Sequence, residues 1–377
     1  MKYLWQAVTV LFALPSLAPA ADVTDLADRI KAVGREGAGN SEAAAAWKEL
    51  SRRGTDAIVP LLATIDGASP AAANWLRSAI DAIVERETAA KHPLPAKDLE
   101  AFLCDTKHAG TARRLAFELL CRAEPAARDR LLPTFLNDPG AELRYDAVEA
   151  EFEKAKALPK DSDAAKDQLR KLIDAARDVN QTEAIAKELE QRGSPVDLAK
   201  HFAFITSWYL VAGFDNTDGK GFQAVYPPEK GVDLAAKYAG KDGKEVAWKP
   251  YTTAEKNGAV DLNKAIAKEK NAVAYGYVVI ESPAARPVEV RAASATALKI
   301  WLNGKEIFAR ETYHQSFEQD SHIAPATLNA GRNTILIKIC QNNQTEDWAQ
   351  NWMYQLRLTD PVGTAIPVKV VDPAPSK

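Results

Sequence analysis

The segment Gln341 to Trp352, QNNQTEDWAQNW, gathers amides, carboxylates and two indoles into twelve residues. Amides and carboxylates meet sugar hydroxyls with paired hydrogen bonds, and an indole offers a flat apolar face on which a pyranose ring stacks. The ligand contacts expected here are Asn342, Asn343, Asp347 and Trp348, joined by Trp301 from an upstream strand. Packing against another part of the protein is the other role open to Trp348 and Trp301. Trp352 is in step with Tyr354, Leu356 and Leu358, and that register assigns it to a core.

A second polar segment, Asp215-Asn216-Thr217-Asp218-Gly219, has the oxygen ligands and the turn glycine that calcium uses, with Asp215, Asn216 and Asp218 as the metal contacts. It lacks the later bidentate Glu of an EF-hand loop, and an ordinary polar turn held by Asx hydrogen bonds explains the same residues. His314 and His322 flank Glu318 and Asp320, so a zinc site can be drawn there, but wide spacing in a loop fits a polar hairpin better. The chain has no G-x-S-x-G elbow, Walker A loop, dinucleotide glycine fingerprint or H-E-x-x-H helix. A glycosidase needs two carboxylates about 5 to 9.5 Å apart across a cleft, and nothing in the sequence selects a pair. The expectation is a protein that is not an enzyme.

Composition narrows the partners. Forty-eight basic against fifty-one acidic side chains leave a net charge of −3, so no basic field exists to hold a phosphate backbone and nucleic acid is not an expected partner. Residues 1–20 read as a cleaved export signal: Lys2, an apolar run from Leu4 to Leu14, the breaker Pro15, and Ala18-Pro19-Ala20 as an A-x-A cleavage site. That run is shorter than the roughly 20 residues of a membrane span. The protein is therefore expected in a periplasm or outside the cell, without a transmembrane helix. Three cysteines are few for such a compartment, so the fold must rest on its core. Cys104 and Cys121 lie on apolar helix faces, as buried thiols or as one disulfide, and Cys340 ends a strand.

Two kinds of element must position these groups. From residue 21 to 195 the spacing of apolar residues is helical. Paired segments run from Asp56 to Ile65 and Ala71 to Val84, from Asp98 to Leu103 and Thr111 to Arg122, and from Ala126 to Phe135 and Ala141 to Ala155. Ser69-Pro70 is an N-cap followed by proline at the first helical position, and Asp138-Pro139 repeats that signal. Comparable stretches at Arg77, Arg114 and Arg144 recur about every 30 to 37 residues, the period of stacked helix pairs. Two further amphipathic helices, Asp163 to Ala176 and Thr182 to Gln191, close the helical part.

After His201 alternation replaces helical spacing, and five of the eight tryptophans fall there. Nine strands are predicted between Ser207 and Thr359, the signature of an antiparallel β-sandwich spanning residues 200–371. Leu298 to Phe308 is a hairpin turning at Asn303-Gly304, the dipeptide suited to the two positive φ angles of a type I′ turn. Alternation points Val288, Val290, Leu298, Ile300, Ile335, Ile337, Leu356 and Leu358 inward. It points Glu289, Arg291, Lys299, Trp301, Lys338, Gln355 and Arg357 outward, so Trp301 is expected on a charged face.

The segment from Leu132 through Val148 resembles HEAT-like repeats, and the likeness extends over about residues 40–155. Val288 to Arg291, Leu298 to Lys305 and Asn329 to Ile339 look like the galactose-binding-like jelly roll, also found as an accessory sugar-binding module of some β-glycosidases. The combination resembles exported bacterial proteins that join such helices to such a domain. These resemblances imply an α-then-β multidomain fold with a protein partner on the helical repeats and a glycan on the jelly roll. A protein-only adaptor and a hydrolase with its site between the domains are the alternatives.

Overall fold

The computed structural model describes residues 22–373. The expected export signal lies outside the described residues. The chain divides into two compact units, Met1–Leu143 and Arg144–Lys377. Secondary structure changes from helix to strand later, between His201 and Ser207. Among the described residues no helix is long and apolar enough to cross a membrane.

The first unit holds α1 (Val23–Lys31), α2 (Asn40–Leu50), α3 (Ile58–Thr64), α4 (Pro70–Ala89), α5 (Ala96–Cys104), α6 (Gly110–Ala123) and α7 (Ala127–Leu131). α1 packs on α2, α3 on α4 and α5 on α6, and like helices of successive pairs also touch, α1 with α3, α2 with α4 and α3 with α5. Each pair leaves one apolar face for the next to cover. The start of α4 is as expected: Ser69 Oγ accepts the Ala72 N–H at 3.2 Å, and Pro70 is the first helical residue. Asp138 has more to do than start a helix. Its carboxylate is buried, takes a bidentate pair from Arg113 Nη1 and Nη2 at 2.7 Å each, and accepts the Gly140 N–H. All three cysteines are free thiols, and Cys104, expected on an apolar face, is exposed.

The second unit begins with α8 (Ala141–Lys156, its first turn in the first unit), α9 (Asp163–Ala175), α10 (Val179–Gln191) and α11 (Leu198–His201). These helices group with the strands through specific contacts. Arg177 Nε donates to Thr364 Oγ1 at 3.0 Å, and the Arg357 guanidinium lies 4.9 Å from the centroid of Phe202.

Thirteen strands follow, with two short helices between them. They are β1 (Ser207–Asp215), β2 (Lys237–Ala239), β3 (Glu245–Ala247), β4 (Lys249–Thr252), β5 (Val260–Asp261), β6 (Ala272–Ser282), β7 (Arg286–Ser294), β8 (Ala297–Leu302), β9 (Lys305–Arg310), β10 (His322–Leu328), β11 (Gly331–Gln341), β12 (Met353–Thr359) and β13 (Lys369–Val370). A short helix α12 (Pro227–Lys230) precedes β2, and α13 (Leu262–Ala265) follows β5. A seven-stranded antiparallel sheet runs β4-β1-β6-β11-β8-β9, with β13 on β6, and a four-stranded sheet runs β10-β7-β12-β5. The expected inward residues of β7, β8, β11 and β12 all join one buried cluster with Trp208, Val278 and Trp352. Asn303 and Gly304 carry φ of 52° and 78°, the two positive angles the type I′ turn requires.

The outward set differs from expectation, because both outer faces are covered. On the seven-stranded sheet residues 216–248 fold back and build a second apolar cluster, in which Trp301 lies with Phe222, Trp248, Tyr275 and Leu336. Trp301 is 9% exposed and Lys338 0%. Lys338 Nζ donates to Phe222 O, Ala224 O and Glu229 Oε1 at 3.2, 2.7 and 2.8 Å, and the Tyr275 hydroxyl donates to the same carboxylate. On the four-stranded sheet Arg357 and Arg291 both bind Asp320, the latter at 3.1 Å. Charged residues at alternating positions thus anchor covering segments where solvent was expected.

Candidate binding site at the loop end of the sandwich

β1 and β11 end, and β6 and β12 begin, at one end of the sandwich, where three connecting loops meet. They are 216–222 after β1, 311–321 between β9 and β10, and 342–352 between β11 and β12. Asn216 ties the first two to the end of β11: its Nδ2 donates to Tyr313 Oη at 3.1 Å and to Gln341 O at 3.0 Å. Burial pushes the Tyr313 hydroxyl up to about 12, with the Asn216 hydrogen bond acting against it.

The 342–352 loop is held from below by amides. Buried Gln341 donates to Ala349 O and Asn351 O, Gln350 donates to Thr345 O at 2.6 Å and Glu346 O at 3.0 Å, and Asn263 donates to Gln350 O at 2.8 Å. Lys270 Nζ adds a bond to Ala349 O at 2.8 Å; desolvation draws its pKa down, opposed by Glu346. Fixed this way, the loop lifts Trp348 to 61% exposure.

The indole does not stand alone. The His314 imidazole meets it at a centroid distance of 5.2 Å and an interplanar angle of 88°. The same ring holds Asn342: the amide oxygen Oδ1 is an acceptor only, so Nε2 carries the proton it receives at 2.7 Å. His314 has φ of 57°, a left-handed backbone uncommon for a non-glycine residue, which tertiary contacts must sustain.

These contacts sort the expected ligand residues. Asn343, Asp347 and Trp348 are exposed, and the side chains of Asn343 and Asp347 make no hydrogen bond or ion pair among the described residues. Asn342 is framework. Its Oδ1 accepts from His314 and from Gln344 N, and its Nδ2 donates to Gln344 Oε1. Trp301 is not brought to this end. It pairs with Leu336, five residues back along β11 from Gln341, or about 16 Å by strand rise, and lies beneath the 216–248 cover.

The residues expected to hold calcium are engaged separately. Asp215 Oδ1 accepts both the N–H and the hydroxyl of Thr217, at 3.0 and 2.6 Å, and these bonds, with Lys241 and Lys220 nearby, lower its pKa. Asn216 is fully buried, its Nδ2 is committed and its Oδ1 has no hydrogen-bond partner among the described residues, while Asp218 pairs with Lys220 at 3.0 Å. Among the described residues no group of three or more His, Cys, Asp or Glu is placed to hold a metal ion. The drawn zinc site does not assemble either: His314 faces Asn342, Asp320 faces two arginines, and buried His322 bonds Gln315.

The sequence marks His314 only as a metal candidate, because its spacing from Asn342 in a different loop carries no periodic signal. A separate cleft of about 900 Å³ lies beside α10 and the Thr253–Lys256 turn, lined among others by Glu183, Lys187, Glu190 and Glu255.

No protein-family model matches the chain, and no curated protein matches it. Among solved structures it is similar to a GH31 alpha-xylosidase from Xanthomonas citri, at 13% identity and a TM-score of 0.22, over 45% of this chain and 16% of that one. It is also similar to a beta-glucosidase from Kluyveromyces marxianus, at 11% identity and a TM-score of 0.28, over 74% of this chain and 36% of that one. An uncultured Clostridium sp. beta-glucuronidase matches at 14% identity and a TM-score of 0.21, over 42% and 29%. The chain thus spans a minor part of each of these enzymes, and likenesses this distant assign neither fold nor function.

Proposed function

We propose that the protein is an exported, non-catalytic binding protein, with HEAT-like helices that engage a protein partner and a galactose-binding-like jelly roll that takes a glycan on the Trp348 platform. One observation carries the glycan half: a 61% exposed indole, held edge-to-face by His314 on an internally bonded loop that also carries the free side chains of Asn343 and Asp347. A hydrophobic side chain that a rigid loop displays to solvent, with unengaged hydrogen-bonding groups next to it, suits a ring with one apolar face and hydroxyl edges. Support for the helical half is the pairwise stacking of α1 to α6. Support for export is the sequence of residues 1–20.

Affinity electrophoresis of the full chain through gels containing neutral polysaccharides tests the central claim. Retardation by at least one polysaccharide, lost in Trp348→Ala, is the expected result; because the indole is exposed, that variant keeps its fold. If no polysaccharide retards the wild type, the jelly roll is a protein-only adaptor. Export is tested by the N-terminal residue of the secreted chain, expected to be Ala21. A hydrolytic function would require a carboxylate pair about 5 to 9.5 Å apart, and Glu183, Glu190 and Glu255 in the cleft beside α10 are the residues to replace should a glycoside screen show turnover.

A further inference from the structure

The polar groups left free beside Trp348 are biased in charge. Glu346 and Asp347 directly precede the indole, both are exposed, and neither makes a hydrogen bond or ion pair through its side chain among the described residues. The adjoining loops add Glu311, next to Gly219, and exposed Glu318. Of the cations at this end Lys220 is paired with Asp218, while Lys270 and Arg310 bond the neutral Ala349 O and Thr312 Oγ1 and keep their charge, so the four carboxylates outnumber them. An anionic group on a sugar stacked over Trp348 would thus meet the two carboxylates that directly precede the indole, in surroundings with more acidic than basic side chains.

Charges closer than the Debye length of about 8 Å at physiological ionic strength are incompletely screened, so the two carboxylates repel such a group. The same carboxylates accept charge-assisted hydrogen bonds from the hydroxyls of an uncharged ring. Discrimination of this kind needs a repulsive element against the wrong ligand as well as contacts to the right one. We propose, building on the glycan reading above, that Glu346 and Asp347 make the Trp348 platform selective for uncharged pyranose rings and turn away sugars bearing carboxylate or sulfate.

The test is a set of neutral polysaccharides, each paired with its C6-oxidised uronate form, titrated with the full chain at low salt and at about 0.5 M salt. For the pair whose neutral member binds, the uronate is expected to bind at least about tenfold more weakly at low salt, with the gap narrowing at high salt. Glu346→Gln with Asp347→Asn should bring the uronate to within about threefold of the neutral form, while Trp348→Ala removes binding of both. Equal binding of the two forms, a preference for the uronate, or a gap that the double variant leaves unchanged overturns the selectivity while leaving the glycan reading intact. Failure of every neutral and oxidised form to bind overturns the glycan reading itself, and the selectivity with it.

Discussion

The His314 imidazole and the Trp348 indole stand edge-to-face at 5.2 Å, joining the β9–β10 loop to the β11–β12 loop. His314 reaches that position through a left-handed backbone and uses its Nε2 proton on Asn342. The exposed ring is therefore oriented from its flank, which leaves its remaining surface open to solvent.

Removing the flank should loosen the platform without unfolding the sandwich. An edge-to-face pair contributes about 0.5 to 1.5 kcal/mol, so His314→Ala is expected to weaken binding of a retained polysaccharide by about two- to tenfold. His314→Phe keeps the ring contact and should recover most of the loss. Titration of both variants checks this; equal affinity in His314→Ala and the wild type would show that His314 does not position the indole.

Gly276 and Tyr354 form a second informative pair. A Cβ on Gly276 would fall on the Tyr354 hydroxyl and 2.9 Å from Ile337 Cγ2, while the buried hydroxyl itself has no hydrogen-bond partner. Gly276→Ala should cost about 1 to 3 kcal/mol through overpacking. Tyr354→Phe should be neutral or stabilising, because an unpaired buried hydroxyl is removed, and should partly rescue Gly276→Ala. Urea midpoints of the two single variants and the double variant decide it; a large loss in Tyr354→Phe alone would reveal a partner for the hydroxyl.

The cover over Trp301 hangs on Lys338 and Glu229, 2.8 Å apart and buried. Stripping one member leaves the other charge stranded, so Lys338→Met is expected to cost about 3 to 5 kcal/mol. The Lys338→Met, Glu229→Met double variant should lose less than the two singles added together. Limited proteolysis should cut Lys338→Met first within residues 216–248. A double variant as damaged as the sum would mean that the two side chains act independently.

Acid should weaken the second unit through two histidines. Desolvation is the first cause holding both His322 and His201 below the ordinary 6.5; Arg310 adds to it at His322, and Arg177 and Arg357 at His201, where Asp174 opposes them. Above 6.5 both are neutral whether the chain is folded or not, and their contribution is fully present. As the pH falls from there the unfolded chain takes up the protons first, so stability is lost as the pH passes down through the folded-state values. The melting temperature of the wild type should therefore drop more steeply between about pH 7 and 5 than that of His201→Gln with His322→Gln. Parallel curves would refute this.

How far the fold could be read from the chain is clearest in β8 and β11. Leu298, Ile300, Ile335 and Ile337 are buried between the sheets as their alternation requires, and Asn303-Gly304 turns the chain between β8 and β9. The helix pairs were equally legible, down to Ser69 and Pro70 at the start of α4. Alternation could not reveal that Lys338 and Trp301, facing away from the core, would be covered. Their cover comes from Phe222, Glu229 and Trp248, more than fifty residues away in sequence.

The same limit divided the candidate site. Trp348 was recognisable as an aromatic in a polar loop, but Asn342 and Asn343 are the same residue type one position apart. One faces His314 and is used up in the framework, while the other faces solvent. Side-chain direction within a helix or strand follows from its regular repeat, so sequence order sufficed for the elements and their inward faces. Loops have no repeat, and the direction of each loop side chain depends on contacts with distant segments. Folding therefore chose which of the polar residues around Trp348 remain free and which hold the platform in place.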